Sequence, residues 1–180
     1  MKYISLDIET TGLNPDTCQI LEVGAILEDT AKKRVRNQCP SFHAILDHQI
    51  ISGEPYALQL NQKLLNVIST KSLPFTKPKE LACDFSEWLL SNGITKPITV
   101  AGKNAVKLDI PFLDRLPGFN AWSKFHHRVL DPSSLFVNFD ADEYLPSSES
   151  CKSRAGISGP VVHTALDDAW DVIQILRTRY

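Results

Sequence analysis

The run Lys2-Tyr3-Ile4-Ser5-Leu6-Asp7-Ile8 alternates among β-prone residues and predicts a strand, with the acids Asp7 and Glu9 two residues apart at its end. Side chains two apart leave the same face of a strand. Asp7 and Glu9 therefore emerge together, opposite Ile4, Leu6 and Ile8. Paired like charges flanked by apolar residues are unfavourable unless something positive sits between them, and oxygen-rich carboxylate sites suit Mg²⁺ or Mn²⁺. An isolated D-x-E triplet also occurs at ordinary exposed strand ends, so its meaning depends on what the rest of the chain brings beside it.

The remaining pattern is that of an α/β chain. Gln19 to Leu27 is largely apolar and reads as a second strand, separated from the first by the turn-rich Thr10-Thr11-Gly12-Leu13-Asn14-Pro15-Asp16. A third strand follows the basic run Lys32-Lys33-Arg34-Val35-Arg36, which reads as a solvated hairpin end more readily than as a phosphate patch. Leu60, Leu64, Val67 and Ile68 recur with helical spacing and predict a helix over Pro55 to Ser69. Leu81, Phe85, Trp88 and Leu89 predict another, with Pro78 near its start and Gly93 past its end. Pro97 to Ala101 is a short strand, Ala105 to Leu116 a helix with Pro111 near its first turn, and His127 to Leu130 a fifth strand. Asp140 to Pro160 is polar and reads as a surface loop, and Thr164 to Arg179 closes the chain as a helix. Strands that come first in a group and then alternate with helices predict a mixed sheet flanked by helices, and 180 residues suit a single domain over 1–180.

Three further stretches carry groups that could join Asp7 and Glu9. On the last helix, Ala165, Leu166, Ala169, Trp170, Val172, Ile173 and Leu176 form the buried stripe, Asp168 lies at its margin, and Asp167 and Asp171 point further into solvent. A margin carboxylate can be aimed along the sheet towards the first strand's acids. His163 precedes that helix, and its ordinary pKa of about 6.5 suits proton abstraction near neutrality. The same five-residue spacing recurs as His126 and Asp131, which fall on opposite faces of a predicted strand and should not cooperate. Asp109 follows the fourth strand and could equally be a first-turn acid favoured by the helix dipole.

Taken in order, three motifs resemble those of the DEDDh 3′-to-5′ exonucleases of the ribonuclease H-like superfamily. Asp7-Ile8-Glu9-Thr10-Thr11-Gly12-Leu13 is similar to the first motif, with Ile20-Leu21-Glu22-Val23-Gly24-Ala25 similar to the second-strand pattern after it. Asn104 to Leu113 resembles the second motif and supplies Asp109. His163-Thr164-Ala165-Leu166-Asp167-Asp168-Ala169 resembles the third and supplies His163 and Asp168. Lys103 stands where many relatives have histidine, and Leu108 where phenylalanine is frequent, which leaves the choice between DNA and RNA open. The resemblance implies a ribonuclease H-like, five-stranded mixed sheet of order 3-2-1-4-5. It implies two Mg²⁺ or Mn²⁺ ions roughly 4 Å apart. Asp7, Glu9 and Asp168 would hold the first, and Asp109 would support a second bridged by Asp7. His163 would act as general base. Backbone around Thr10 and Thr11 would meet the terminal nucleotide, Leu13 would wedge against its base, and nucleoside 5′-monophosphates would leave the 3′ end of single-stranded DNA or RNA. A non-catalytic nucleic-acid-binding subunit and an endonuclease of the same superfamily are the alternatives.

Composition adds exclusions. The balance of 19 basic against 21 acidic residues argues against a chain-wide grip on long duplexes, though not against a groove that holds a few phosphates. Lys152 and Arg154, before His163, could approach such a strand, although charged loop residues are usually only solvated. Cys18, Cys39, Cys83 and Cys151 are far apart, which predicts reduced thiols. No apolar run approaches the roughly 18 residues of a membrane span, and Asp7 and Glu9 interrupt any secretory signal, so a cytoplasmic protein is expected, with a polymerase or a second copy as further partners.

Overall fold

The computed structural model describes residues 1–159 and 162–180. Its sheet has four strands, with the third, second, first and fourth in chain order lying side by side. Strands β1 (Lys2–Thr10) and β2 (Ile20–Asp29) pair antiparallel, β3 (Ser41–Ile45) adds antiparallel to β2, and β4 (Thr99–Ala101) runs parallel to β1. Both faces of β1 are covered. Ile4, Leu6 and Ile8 join Val23, Ala25, Leu27, Phe42 and Phe85 in the larger core, under α3 (Leu81–Ser91) and α4 (Asp109–Asp114). On the opposite face, Tyr3 and Ile26 pack against Ala169, Val172, Ile173 and Leu176 of α8 (Ala165–Arg177).

A fifth strand does not form. The stretch 125–130 meets β4's edge through two isolated parallel bridges, Ile98 with Phe125 and Ala101 with Leu130. Between them the Arg128 N–H donates to His126 Nδ1 at 3.1 Å and closes a turn that lifts the chain off the ladder, so the sheet has four strands.

Other elements depart from the periodic reading for local reasons. The helix expected over 55–69 is split at Asn61 into α1 (Pro55–Leu60) and α2 (Gln62–Thr70). Asn61 is buried there, and its side-chain amide donates to the Thr10 carbonyl at 3.1 Å. Gly93 adopts φ 74° just after α3, a left-handed conformation that glycine enters freely. The expected loop over 140–160 contains α7 (Ser148–Arg154), which follows the short helices α5 (Ala121–Lys124) and α6 (Pro132–Phe136); Pro160 lies outside the described residues. Ser147 caps α7 by accepting from the Ser150 N–H at 3.1 Å, and Cys151 is buried against Phe136 and Ile175. Among the described residues, no helix is long and apolar enough to cross a membrane, and all four cysteines are free.

Candidate active site

The acids arrive by three routes. Asp7 and Glu9 share β1's α8-facing side with Tyr3 and Ser5, and Glu9 stands directly opposite Glu22 in the antiparallel register. Because β4 runs parallel to β1 and ends level with Ser5, the chain leaves the sheet beside Leu6, turns through Asn104 (φ 59°) and returns at Asp109, the first residue of α4. Asp109 is 2% exposed. Burial pushes its carboxyl up to about 7, while the backbone N–H groups of Asp109 and Ile8 pull it down.

Helix α8 supplies the third route. Thr164 caps it by accepting from the Asp167 N–H at 3.3 Å, and His163 lies just outside at φ 56°, a region that histidine visits more readily than most residues. One ligand atom from each of Glu9, His163 and Asp168 lies within 4.8 Å of the other two. Asp168 Oδ1 is buried and accepts no hydrogen bond. An orphaned buried carboxylate oxygen is costly, and the residue that carries it belongs to a set of oxygen and imidazole donors that suits a divalent cation.

Electrostatics ties Asp7 and Asp109 to the same cluster. Burial holds the Asp7 carboxyl well above its ordinary range, followed by the negative charges of Asp109, Asp168, Glu9 and Glu22. Burial, with Asp168 and Glu22, raises Glu9 to about 7. Burial also raises Asp168 to about 6, with Asp171 and Asp167 adding to it and His163 and Lys152 opposing it. Four acids that all resist ionisation together form a site that cations would relieve.

Two clefts adjoin the cluster. A narrow one of about 50 Å³ is lined by Asp7, Asp168, Lys103, Ser148 and Asp171. A groove of about 580 Å³ runs from His163 and Thr164 past Glu22, His43 and Ile45 to Leu60 and Leu64. Leu13 is 73% exposed on the loop after β1, with its N–H donating to Glu54 Oε1 at 3.2 Å. Thr10 and Thr11 are buried. Thr10 Oγ1 donates to the Gly12 carbonyl at 2.7 Å, while Thr11 Oγ1 accepts from the Gln19 N–H at 2.9 Å.

Several flanking charges are committed elsewhere. Asp171, expected in solvent, is half-buried and accepts from Lys152 Nζ at 2.5 Å, so α7 is pinned to α8. Arg154 donates to the Phe136 carbonyl at 2.7 Å and to Asp142 Oδ1 at 2.6 Å. Within the basic run, Arg36 pairs with Asp167 at 2.5 Å and Lys32 with Asp29 at 3.8 Å. The control pair does not meet: Asp131 caps α6 through the Ser133 N–H at 2.8 Å, while His126 bonds to the Arg128 N–H.

Periodicity gave no sign of two polar groups beside the cluster, Glu22 and His43. An acid in the otherwise apolar Ile20 to Leu27 segment was the available signal.

No family model matches the chain, and no curated protein sequence does. Among solved structures, it is similar to E. coli exonuclease I in complex with a 5cy-dT13 oligonucleotide, with TM-score 0.66 and 15% identity. It is also similar to E. coli exonuclease I in complex with a dA16 oligonucleotide, with TM-score 0.68 and 14% identity. Each likeness covers 98% of this chain but 40% of the other. The fold is an exonuclease-like α/β fold.

Proposed function

We propose that the chain is a single domain that hydrolyses phosphodiester bonds from the 3′ end of single-stranded nucleic acid with the help of divalent cations, and that DNA is its first substrate to test. The observation that carries this reading is the meeting of Glu9, at the end of β1, with His163 and Asp168, at the start of α8, where Asp168 also keeps a buried carboxylate oxygen that has no partner. The DNA bound in both exonuclease I structures supports the choice of substrate.

Glu9 and Asp168 would hold one Mg²⁺ or Mn²⁺ with Asp7, and Asp109 would support a second through its proximity to Asp7. When bound, such cations neutralise charge that develops on the phosphate and the leaving oxygen. The protein's own groups do the rest. His163 stands exposed beside the acids, where its imidazole can take a proton from a water that attacks the terminal phosphorus. The bond from phosphorus to the preceding nucleotide's 3′ oxygen then breaks, and a nucleoside 5′-monophosphate leaves. Leu13, exposed at the loop tip, would stack on the terminal base, a contact that reads no particular sequence.

The test uses 5′-labelled DNA and RNA oligomers, single- and double-stranded, incubated with Mg²⁺ or Mn²⁺ and resolved by length. A ladder that shortens from the 3′ end of single-stranded DNA is expected. Cleavage of a circular single strand would instead make it an endonuclease, and binding without cleavage would make it a non-catalytic subunit.

A further inference from the structure

We propose that Glu22 is a positioning residue for this reaction: its carboxylate, braced by His43, anchors the start of α8 to β2 and so holds His163 and Asp168 against Glu9. The inference rests on the hydrolytic reading above and assigns a role to a side chain outside the four acids.

Glu22 is 6% exposed and stands directly across the ladder from Glu9. Two like charges opposed on one sheet face repel, so a structural sheet would not choose this pair without compensation. Both oxygens of Glu22 are satisfied. Oε1 accepts from His43 Nε2 at 2.6 Å, and Oε2 accepts from the buried Ala165 N–H at 2.9 Å. The Ala165 N–H is one of the groups at a helix start that no carbonyl within the helix can reach, and a negative charge there also meets the positive end of the helix dipole.

Arg36 pairs with Asp167 and the Ser5 hydroxyl donates to the Ala169 carbonyl at 2.7 Å near this end, but the two bonds made to the first free N–H groups differ in what they hold. Thr164 bonds Asp167 within the same turn, which shapes the helix but does not locate it. Glu22 bonds across 143 residues and fixes the helix to the sheet. Gly24 makes the approach possible, because a Cβ there would lie 2.5 Å from the Leu166 nitrogen. His163 is two residues before Ala165 and Asp168 three after it, so a shift of this one amide displaces both. Reacting groups moved by about 1 Å can lose on the order of 10²-fold in rate.

The experiment compares Glu22→Ala, Glu22→Gln and His43→Ala with the wild-type chain. It measures kcat and KM on a single-stranded DNA oligomer, together with hydrogen exchange of the Ala165 amide. Glu22→Ala is expected to lower kcat about 10- to 100-fold, as losses of supporting shells around metal sites do, with KM within about threefold and a fast-exchanging Ala165 amide. Glu22→Gln retains an acceptor for that amide and should restore both protection and most of kcat. His43→Ala removes only the brace and should lower kcat about fivefold, the worth of one hydrogen bond, and it decides the matter if Glu22→Ala does not fold. Wild-type kcat in His43→Ala and in any folded Glu22→Ala would overturn the proposal. So would Glu22→Gln as inactive as Glu22→Ala, which would make the charge itself the requirement. A wild-type chain that protects the Ala165 amide yet cuts no oligomer would instead refute the hydrolytic reading and leave the anchor standing.

Discussion

Helix α8 lies across β1 and β2 and meets buried acid at both ends, yet the two ends are treated in opposite ways. At its C-terminal end, Glu28 is 1% exposed and fully matched: Arg177 donates through Nε at 3.1 Å and Nη2 at 2.7 Å, and the Tyr180 hydroxyl donates at 3.3 Å. At its N-terminal end, Asp7, Glu9, Asp109 and Asp168 crowd together, the charges acting most on Asp7 are all negative, and Asp168 Oδ1 accepts nothing. Both sites lie where α8 crosses β1 and β2, and α4 adds Asp109 to the N-terminal one only. The difference separates an acid that serves the fold, with its counter-charge built into the chain, from acids that crowd without a matched counter-charge, as the proposed cation site requires.

The sharpest way to break this contrast is to remove charge at each end and read both activity and stability. Asp168→Ala or Asp7→Ala should abolish cation-dependent hydrolysis and leave the circular dichroism spectrum and cooperative unfolding intact; full activity in either would remove the acids from the site. His163→Ala should lower turnover by roughly 10²- to 10⁴-fold, the range for general bases, with His126→Ala as its silent control. Weakened cation binding with normal turnover in His163→Ala would show that it is a ligand and not the base. At the other end, Arg177→Met should cost about 3–5 kcal/mol in urea unfolding, because it leaves Glu28 buried and unmatched, while turnover of the folded fraction stays at the wild-type value. Loss of specific activity there would erase the division between the two ends.

How much of this could be read from the sequence follows the same division between short and long range. The alternation over Lys2 to Ile8 and the apolar stripe of the last helix locate β1 and α8, because each pattern is repeated within one element. Asp7 and Glu9 share a face for the same local reason. Whether Asp168 points at them depends on where α8 docks, and that depends on Gly24 and on the Glu22 carboxylate, neither of which any period reveals. The missed helix α7 is short and rich in serine, and is held by one cap and by the buried Cys151. The overestimated fifth strand had a β-prone run but no way to announce the turn at His126. The pairing of Lys152 with Asp171 was equally hidden, since it joins residues 19 apart.

The smallest effect tests the contrast through stability alone and needs no substrate. In the cation-free chain, Glu9 and Asp109 are raised to about 7 and Asp168 to about 6, so folding favours their protonated forms. For carboxyls raised on folding, the stabilisation is fully present below their ordinary pKa of about 4 and is lost as pH climbs through the folded values. The cation-free unfolding temperature should therefore fall between about pH 4 and pH 8, steepest near pH 5 to 6, midway between the unfolded and folded values. Asp142, lowered to about 2 by the Arg154 guanidinium, titrates below this window and cannot mimic the trend. Mn²⁺ at a hundred times its dissociation constant should return about 2.7 kcal/mol at pH 8, read as a rise in unfolding temperature. The same concentration should return far less at pH 5, where protons already occupy the oxygens that would bind it. Asp168→Asn should raise the cation-free unfolding temperature at pH 8 and blunt the response to Mn²⁺, whereas Arg177→Met should lower the baseline and keep that response. If Mn²⁺ shifted Asp168→Asn as strongly as the wild type, the cation would be binding elsewhere, and the crowded acids would need another explanation.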